Sequence, residues 1–325
     1  MKSTSFLYLL VSLTFLTFNL TQARPKVLFF AIDGVRSDIL SKMKLSYFER
    51  MNLEGFGSYF CNNIDIPTSG PSWTTVLTGV YHKHHKITDN NLPQTLPYEV
   101  NTIVNAAKRI DCSLRFGMYM EWAKFYNFNK HIDWDTLIKG EFGNSKKTKL
   151  EATHWISNTD LDYYFVYFGE ADYWGHRLGF ENYNFLYKRA LRNINNSIES
   201  IIKSLELREN YCNEDWLIMS TTDHGGKGFH HEGTSPEVRQ VFWFANLYNF
   251  NFGSPTIHFK DSQASSSNSK PQHIDICPTV LQFLTNSRVS YFSQEFASNY
   301  SGKSWLNEIC AMDRIFEDRN TLSLR

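Results

Sequence analysis

A doubly wound α/β domain, with a mostly parallel central sheet and helices on both faces, is the fold this sequence predicts. Three observations carry that reading. Most of five strand-like segments are continuous apolar runs without polar alternation, the mark of strands covered on both faces. Helical patterns lie between them, and alternating strands and helices argue for an α/β sandwich. The length, 325 residues, suits one large domain of this class.

The chain opens on "MKSTSFLYLLVSLTFLTFNLTQA" (1–23), with Lys2, an apolar core from Phe6 to Phe18, and a polar close at Ala23. This reads as a secretory signal peptide, which leaves residues 24–325 as a single α/β domain, secreted or extracellular. A retained signal anchor, or residence in the lumen of the secretory pathway, is the alternative. No second apolar span follows.

The strands are expected at "KVLFFAIDG" (26–34), "SLRFGMYM" (113–120), "DYYFVYFGEAD" (162–172), "DWLIMSTTDHG" (215–225) and "RQVFWFANL" (239–247). The segment "NFLYKRALRNINNSIESIIKSLEL" (184–207) repeats apolar residues at three- and four-residue spacing, as an amphipathic crossover helix does. Shorter helices are expected at 98–110 and 277–285, and a polar Ser-rich loop at 261–272. Residues 121–156 have no clear period and read as an insertion or lid.

The 33 basic and 33 acidic residues balance. That argues against a polyanion-binding surface, so no nucleic-acid polymer is expected as a partner. Five cysteines, Cys61, Cys112, Cys212, Cys277 and Cys310, allow disulfides in an exported protein but leave one over. Asn195 and Asn299 stand in glycosylation sequons, which matter only where they are exposed.

The informative polar residues stand where three strands finish: Asp33, Asp172, and Asp223 with His224. Ligands of doubly wound sheets bind beyond the carboxyl ends of the strands. Three carboxylates there repel one another unless cations neutralise them. Asp172 and His176 are four apart and share a face if that segment is helical. His230, His231 or His273 supplies a further ligand. Mixed Asp and His donors suit zinc, and two metals suit in-line displacement at phosphorus. Ser69 precedes Pro71, a first-turn residue, so it is either a helix cap or a nucleophile at an anion-attracting helix N-terminus. Thr68 is the competing hydroxyl.

The motifs "IDGVRSD", "PTSGPSWTTVLTGVYHKHHKITDNN", "GEADYWGHRLGF", "TTDHGG" with a later His, and "DICPTVLQFL" occur in the order expected of the alkaline phosphatase superfamily. Over roughly residues 25 to 285 the chain resembles its type I phosphodiesterase/nucleotide pyrophosphatase branch. The resemblance implies two divalent ions, zinc or sometimes manganese, and a Ser or Thr nucleophile forming a covalent phospho-enzyme. It implies Asp33, Ser69, Asp223 and His224 around one metal, and Asp172, His176 and a later His, taken as His231, around the other. The implied substrate is a small phosphate ester, a nucleotide or a lipid head group.

The motif also departs from the family. Ser69-Gly70-Pro71-Ser72-Trp73 stands where nucleotide pyrophosphatases carry Thr-Phe-Pro-Asn-His, so the Asn that helps hold the phosphate is expected to be missing. Backbone N–H groups from Gly70 to Ser72 are expected to hold a phosphate oxygen instead. The alternatives on the same core are a phosphoethanolamine or phosphoglycerol transferase and a sulfatase-like hydrolase. A non-catalytic secreted binding module is the third.

Overall fold

A computed structural model describes residues 23–249, 270–285 and 300–310. The signal-peptide reading of 1–22, the Ser-rich stretch up to 269 and the Asn299 sequon lie outside the described residues. Seven strands form one sheet: β1 (Arg24–Ile32), β2 (Phe56–Asn62), β3 (Phe116–Met120), β4 (Thr136–Lys139), β5 (Tyr163–Phe168), β6 (Glu214–Thr221) and β7 (Gln240–Tyr248). Their spatial order is β2-β7-β6-β1-β5-β3-β4. The pairs β1–β5, β1–β6, β3–β5 and β3–β4 are parallel, while β7 runs against both β6 and β2.

The expected doubly wound arrangement is what the chain adopts, because apolar residues occupy both faces of the central strands. Val27, Phe29 and Ala31 pack into one buried layer with Trp73, Val76 and Leu77 of the helix Ser69–Thr78. Leu28, Phe30 and Ile32 pack into the other, with Leu191, Ile194, Ile198 and Ile201 of the crossover helix Phe185–Glu206. Successive side chains of a strand face opposite ways, so an unbroken apolar run supplies both cores.

Two strands escape sequence reading. β2 has a mixed burial pattern at the sheet edge, and β4 has only four residues, three of them half-buried. Residues 121–156, expected to be an insertion or lid, carry the helix Ala123–Asn129, β4 and most of the helix Ser145–Asn158. β4 extends the sheet beyond β3, and the helix Ser145–Asn158 packs on the crossover helix. The tails of three expected strands leave the sheet. β1 stops before Asp33, β5 at Phe168 and β6 at Thr221. Asp172 therefore lies in the first turn of the helix Glu170–Leu178.

The thiols of Cys61, Cys112, Cys212 and Cys277 are unbridged. Asn195 is buried in the crossover helix, and its Oδ1 accepts the Tyr47 N–H at 3.0 Å. The Asn195 sequon is thus inaccessible to glycosylation in the folded chain. No helix among the described residues is long and apolar enough to cross a membrane.

Candidate active site

Strand register explains why three remote aspartates meet. Ile32 lies opposite Phe168, and Ala31 opposite Thr221, so β5, β1 and β6 end level with one another. The chain leaves each strand at the same edge and puts Asp33, Asp172 and Asp223 there. Gly34 makes their approach possible. It has φ +70, and a Cβ at that position would lie 2.7 Å from the Asp172 Cα. Only glycine meets both demands without strain.

One oxygen of Asp33 is held from the protein side. Its Oδ2 accepts the Tyr167 hydroxyl and, at 3.3 Å, the Trp73 indole N–H. Asp223 is anchored likewise, its Oδ1 accepting the N–H groups of Gly34 at 3.1 Å and His224 at 3.0 Å. The remaining oxygens, Asp33 Oδ1, Asp223 Oδ2 and Asp172 Oδ1, are buried without a hydrogen-bond donor. Orphaned buried carboxylate oxygens cost several kcal/mol unless a cation or proton meets them.

The histidines present lone pairs to the same space. His224 Nδ1–H donates to the Gly225 carbonyl at 2.8 Å, which leaves Nε2 as a lone-pair donor. That Nε2 lies 3.2 Å from Ser69 Oγ, 3.3 Å from Asp223 Oδ2 and 3.6 Å from Asp33 Oδ1. His176 Nδ1–H donates to the Phe229 carbonyl at 2.9 Å, and its Nε2 faces Asp172 Oδ1 at 3.4 Å. His231 stacks on His224 at 3.8 Å between ring centroids and lies 5.0 Å from the His176 ring. Two groups of potential ligand atoms result, each within 4.8 Å: Asp33, Asp223 and His224, and Asp172, His224 and His231.

Burial raises the carboxyls of Asp33, Asp172 and Asp223. The charge of Asp33 raises Asp172 further, and those of Asp33 and Asp172 raise Asp223 further. Burial also holds the imidazoles of His224 and His231 down, at about 3. Acids pushed up and bases pushed down in one place are what cation ligands look like without the cation.

Of the other residues singled out in the sequence, His273 is not brought in, since its Nε2–H donates to the Thr222 carbonyl at 2.8 Å. His230 is exposed and its backbone pairs with Lys227. Ser69 lines the pocket, whereas Thr68 is the N-cap residue of the Ser69–Thr78 helix and makes no side-chain cap bond.

The expected backbone anion hole is not free. Gly70 N–H donates to Asn90 Oδ1 at 2.7 Å, Pro71 has no N–H, and Ser72 N–H donates to the Thr68 carbonyl. Asn90 itself lines the pocket beside Ser69. An asparagine thus stands in the pocket about twenty residues beyond Ser69, which no reading of the Ser69 motif alone reveals. Tyr167 and Glu121 were also missed. Glu121 is a buried pocket residue that accepts N–H bonds from Gly143 and Gly169, both at 2.9 Å, and the Thr148 hydroxyl. Among the aromatics, Trp73 and Phe125 are core, while Trp122 and Phe142 line an open pocket of about 570 Å³.

A family model described as type I phosphodiesterase/nucleotide pyrophosphatase matches residues 27–110 and 111–276. Bis(5'-adenosyl)-triphosphatase ENPP4 of Pongo abelii and of Homo sapiens are each 21% identical over 228 residues, covering 62% of this chain and 47% of the relative. The chain thus spans about half the length of the curated relatives it matches. Among solved structures, a 2-O GAG sulfatase superposes with a TM-score of 0.63 at 12% identity, over 89% of this chain and 74% of that one. Murine ectonucleotide pyrophosphatase/phosphodiesterase 5 does so with a TM-score of 0.50 at 21% identity, over 62% and 57%. At those identities the structures speak to the fold.

Proposed function

This chain belongs to the type I phosphodiesterase/nucleotide pyrophosphatase family, and from that premise we propose that it is an exported, metal-dependent hydrolase of small phosphate esters with Ser69 as nucleophile. The observation that carries the reading is the set of three orphaned carboxylate oxygens, two facing the lone pair of His224 and one that of His176, beside one hydroxyl. Asp33, Asp223, His224 and the Ser69 hydroxyl would hold one divalent ion, and Asp172, His176 and His231 the other. The donor set of carboxylates and neutral imidazoles fits zinc, and also manganese. Bound there, the ions supply Lewis acidity and cancel the carboxylate charge.

The chain's own residues do the rest. Trp73 and Tyr167 fix the Asp33 carboxylate, so that its free oxygen keeps one direction. The Gly225 carbonyl fixes the His224 ring in the same way. Asn90, with Oδ1 engaged by Gly70, offers its amide N–H groups to a substrate phosphoryl oxygen. Ser69 Oγ gives its proton up to solvent and attacks phosphorus in line; the bond from phosphorus to the leaving oxygen breaks, and that oxygen departs as an alcohol after taking a proton from water. A water that gives one proton to solvent then attacks the phospho-serine; the bond from Ser69 Oγ to phosphorus breaks, and Ser69 Oγ regains a proton while phosphate leaves. A nucleotide is the favoured ester, since Trp122 and Phe142 offer apolar ring surface in the pocket.

Replacing Ser69 with alanine tests the assignment. Turnover of a chromogenic phosphodiester and trapping of labelled phosphate on the chain are both expected to vanish, with metal content nearly intact. Full turnover in that variant rules Ser69 out.

A further inference from the structure

A patch outside the pocket shows water more apolar surface than folding alone explains. Among the described residues, Leu178, Tyr183, Phe185 and Phe229 are 45%, 81%, 69% and 53% exposed. Three short segments carry them. The helix Glu170–Leu178 ends at Gly179, whose carbonyl accepts the Asn184 side-chain amide at 2.7 Å. The Gly228 carbonyl accepts the Phe180 N–H at 2.7 Å, and the Phe229 carbonyl accepts His176 Nδ1–H at 2.9 Å. Asn184 also caps the crossover helix, its Oδ1 accepting the N–H groups of Leu186 and Tyr187, both at 3.1 Å. Hydrogen bonds thus tie the segments to one another, while their large apolar side chains face outward. Exposed apolar groups gathered in this way mark an interaction surface.

Positive charge adjoins them. Phe185, Lys188, Arg189 and Arg192 stand at i, i+3, i+4 and i+7, so they form one stripe of the crossover helix. The opposite stripe, Tyr187, Ala190, Leu191 and Ile194, is buried. The three cations make no salt bridge among the described residues. From Leu178 to Ile198 the sequence contains a single acid, Glu181. Its carboxylate is already engaged by Arg36 at 3.0 Å and by the Gly228 N–H at 2.9 Å. The whole chain is neutral, so the positive charge of this segment is a local feature.

A purely acidic partner would satisfy the cations and leave the rings in water, and an apolar partner would do the reverse. The surface of an anionic bilayer satisfies both. Apolar side chains enter the boundary between headgroups and acyl chains, and lysine and arginine meet the phosphates. We propose that Leu178, Tyr183, Phe185 and Phe229, with Lys188, Arg189 and Arg192, dock the chain on an anionic phospholipid surface. The lipid meets the outer face of the loop and helix, not the pocket that Ser69 lines. Docking is measured without turnover, so its failure leaves the hydrolase reading standing, and the converse holds.

The test is co-sedimentation of the whole chain with vesicles of phosphatidylcholine alone and of phosphatidylcholine with about one-third phosphatidylserine. The wild type is expected to favour the mixed vesicles and to lose that preference as salt rises. A lysine or arginine near such a surface is worth about five-fold in partitioning, so Lys188→Gln with Arg189→Gln and Arg192→Gln is expected to weaken binding about 100-fold. Tyr183→Ser with Phe185→Ser is expected to weaken it about 10-fold. Lys188→Arg with Arg189→Lys and Arg192→Lys is expected to bind as the wild type does, which separates charge from shape. An unshifted melting transition shows that each variant is folded. Equal binding to both vesicles, or a Gln variant that binds the mixed vesicles as tightly as the wild type, overturns the proposal. So does a wild type that ignores vesicles and instead self-associates through Tyr183 and Phe185.

Discussion

Glu121 offers the sharpest test of how the pocket wall is built. Its carboxylate joins three segments: the loop at Gly143, the residue that begins the Asp172 helix at Gly169, and Thr148. Glu121→Ala leaves the buried Gly169 N–H and the half-buried Gly143 N–H without an acceptor, while the Thr148 hydroxyl keeps the Asn144 carbonyl at 3.3 Å. A buried orphaned donor costs about 1–3 kcal/mol and one that water can reach costs less, so a loss of about 1–4 kcal/mol is expected. Glu121→Gln keeps an oxygen for both N–H groups and loses about 1–2 kcal/mol of charge assistance.

The pH dependence gives a second handle on the same residue. Burial pushes the Glu121 carboxyl up from 4.5 to about 7. A raised acid favours the protonated fold, so its stabilising contribution is complete below 4.5 and fades as pH rises through about 7. The gap corresponds to about 3 kcal/mol. Urea unfolding of metal-saturated protein between pH 4.5 and 8 measures it, and the Gln variant is expected to lack that decline. An Ala variant that loses less than about 1 kcal/mol, or a Gln variant with the wild-type pH slope, refutes the reasoning.

Other outcomes follow from the same geometry. Removing metal with a chelator is expected to lower the melting temperature, because ions at about 100-fold above their dissociation constant stabilise by about 2.7 kcal/mol per site; an unchanged scan argues against bound metal. Gly169→Ala would place a Cβ 2.4 Å from the Phe142 ring, so it is expected to cost about 1–3 kcal/mol and to weaken substrate binding, read as a raised KM. Asn195→Ala is expected to cost about 1–3 kcal/mol by orphaning the Tyr47 N–H, and peptide mapping of protein expressed through a secretory pathway is expected to find Asn195 without a glycan.

Much of this was legible in the chain itself. The unbroken apolar runs of β1, β5 and β6 mark strands buried on both faces, and Asp33, Asp172 and Asp223 follow those runs within a few residues. The crossover helix Phe185–Glu206 declares itself by its spacing. β4 did not, because four residues, three half-buried and one exposed, carry no period.

What the sequence by itself determined was the five central strands, the crossover helix and the acids that follow the strands, since apolar periodicity and strand termination are properties of neighbouring residues. Tertiary structure decided that His231 rather than His230 or His273 faces His224, that Asn90 occupies the Gly70 N–H, and that Glu121 ties three loops together. Those choices depend on how strand register and loop length bring distant backbone together, and one-dimensional spacing does not encode that distance. The sequence could name the donors, but only the packed sheet edge could say which lone pairs share a space.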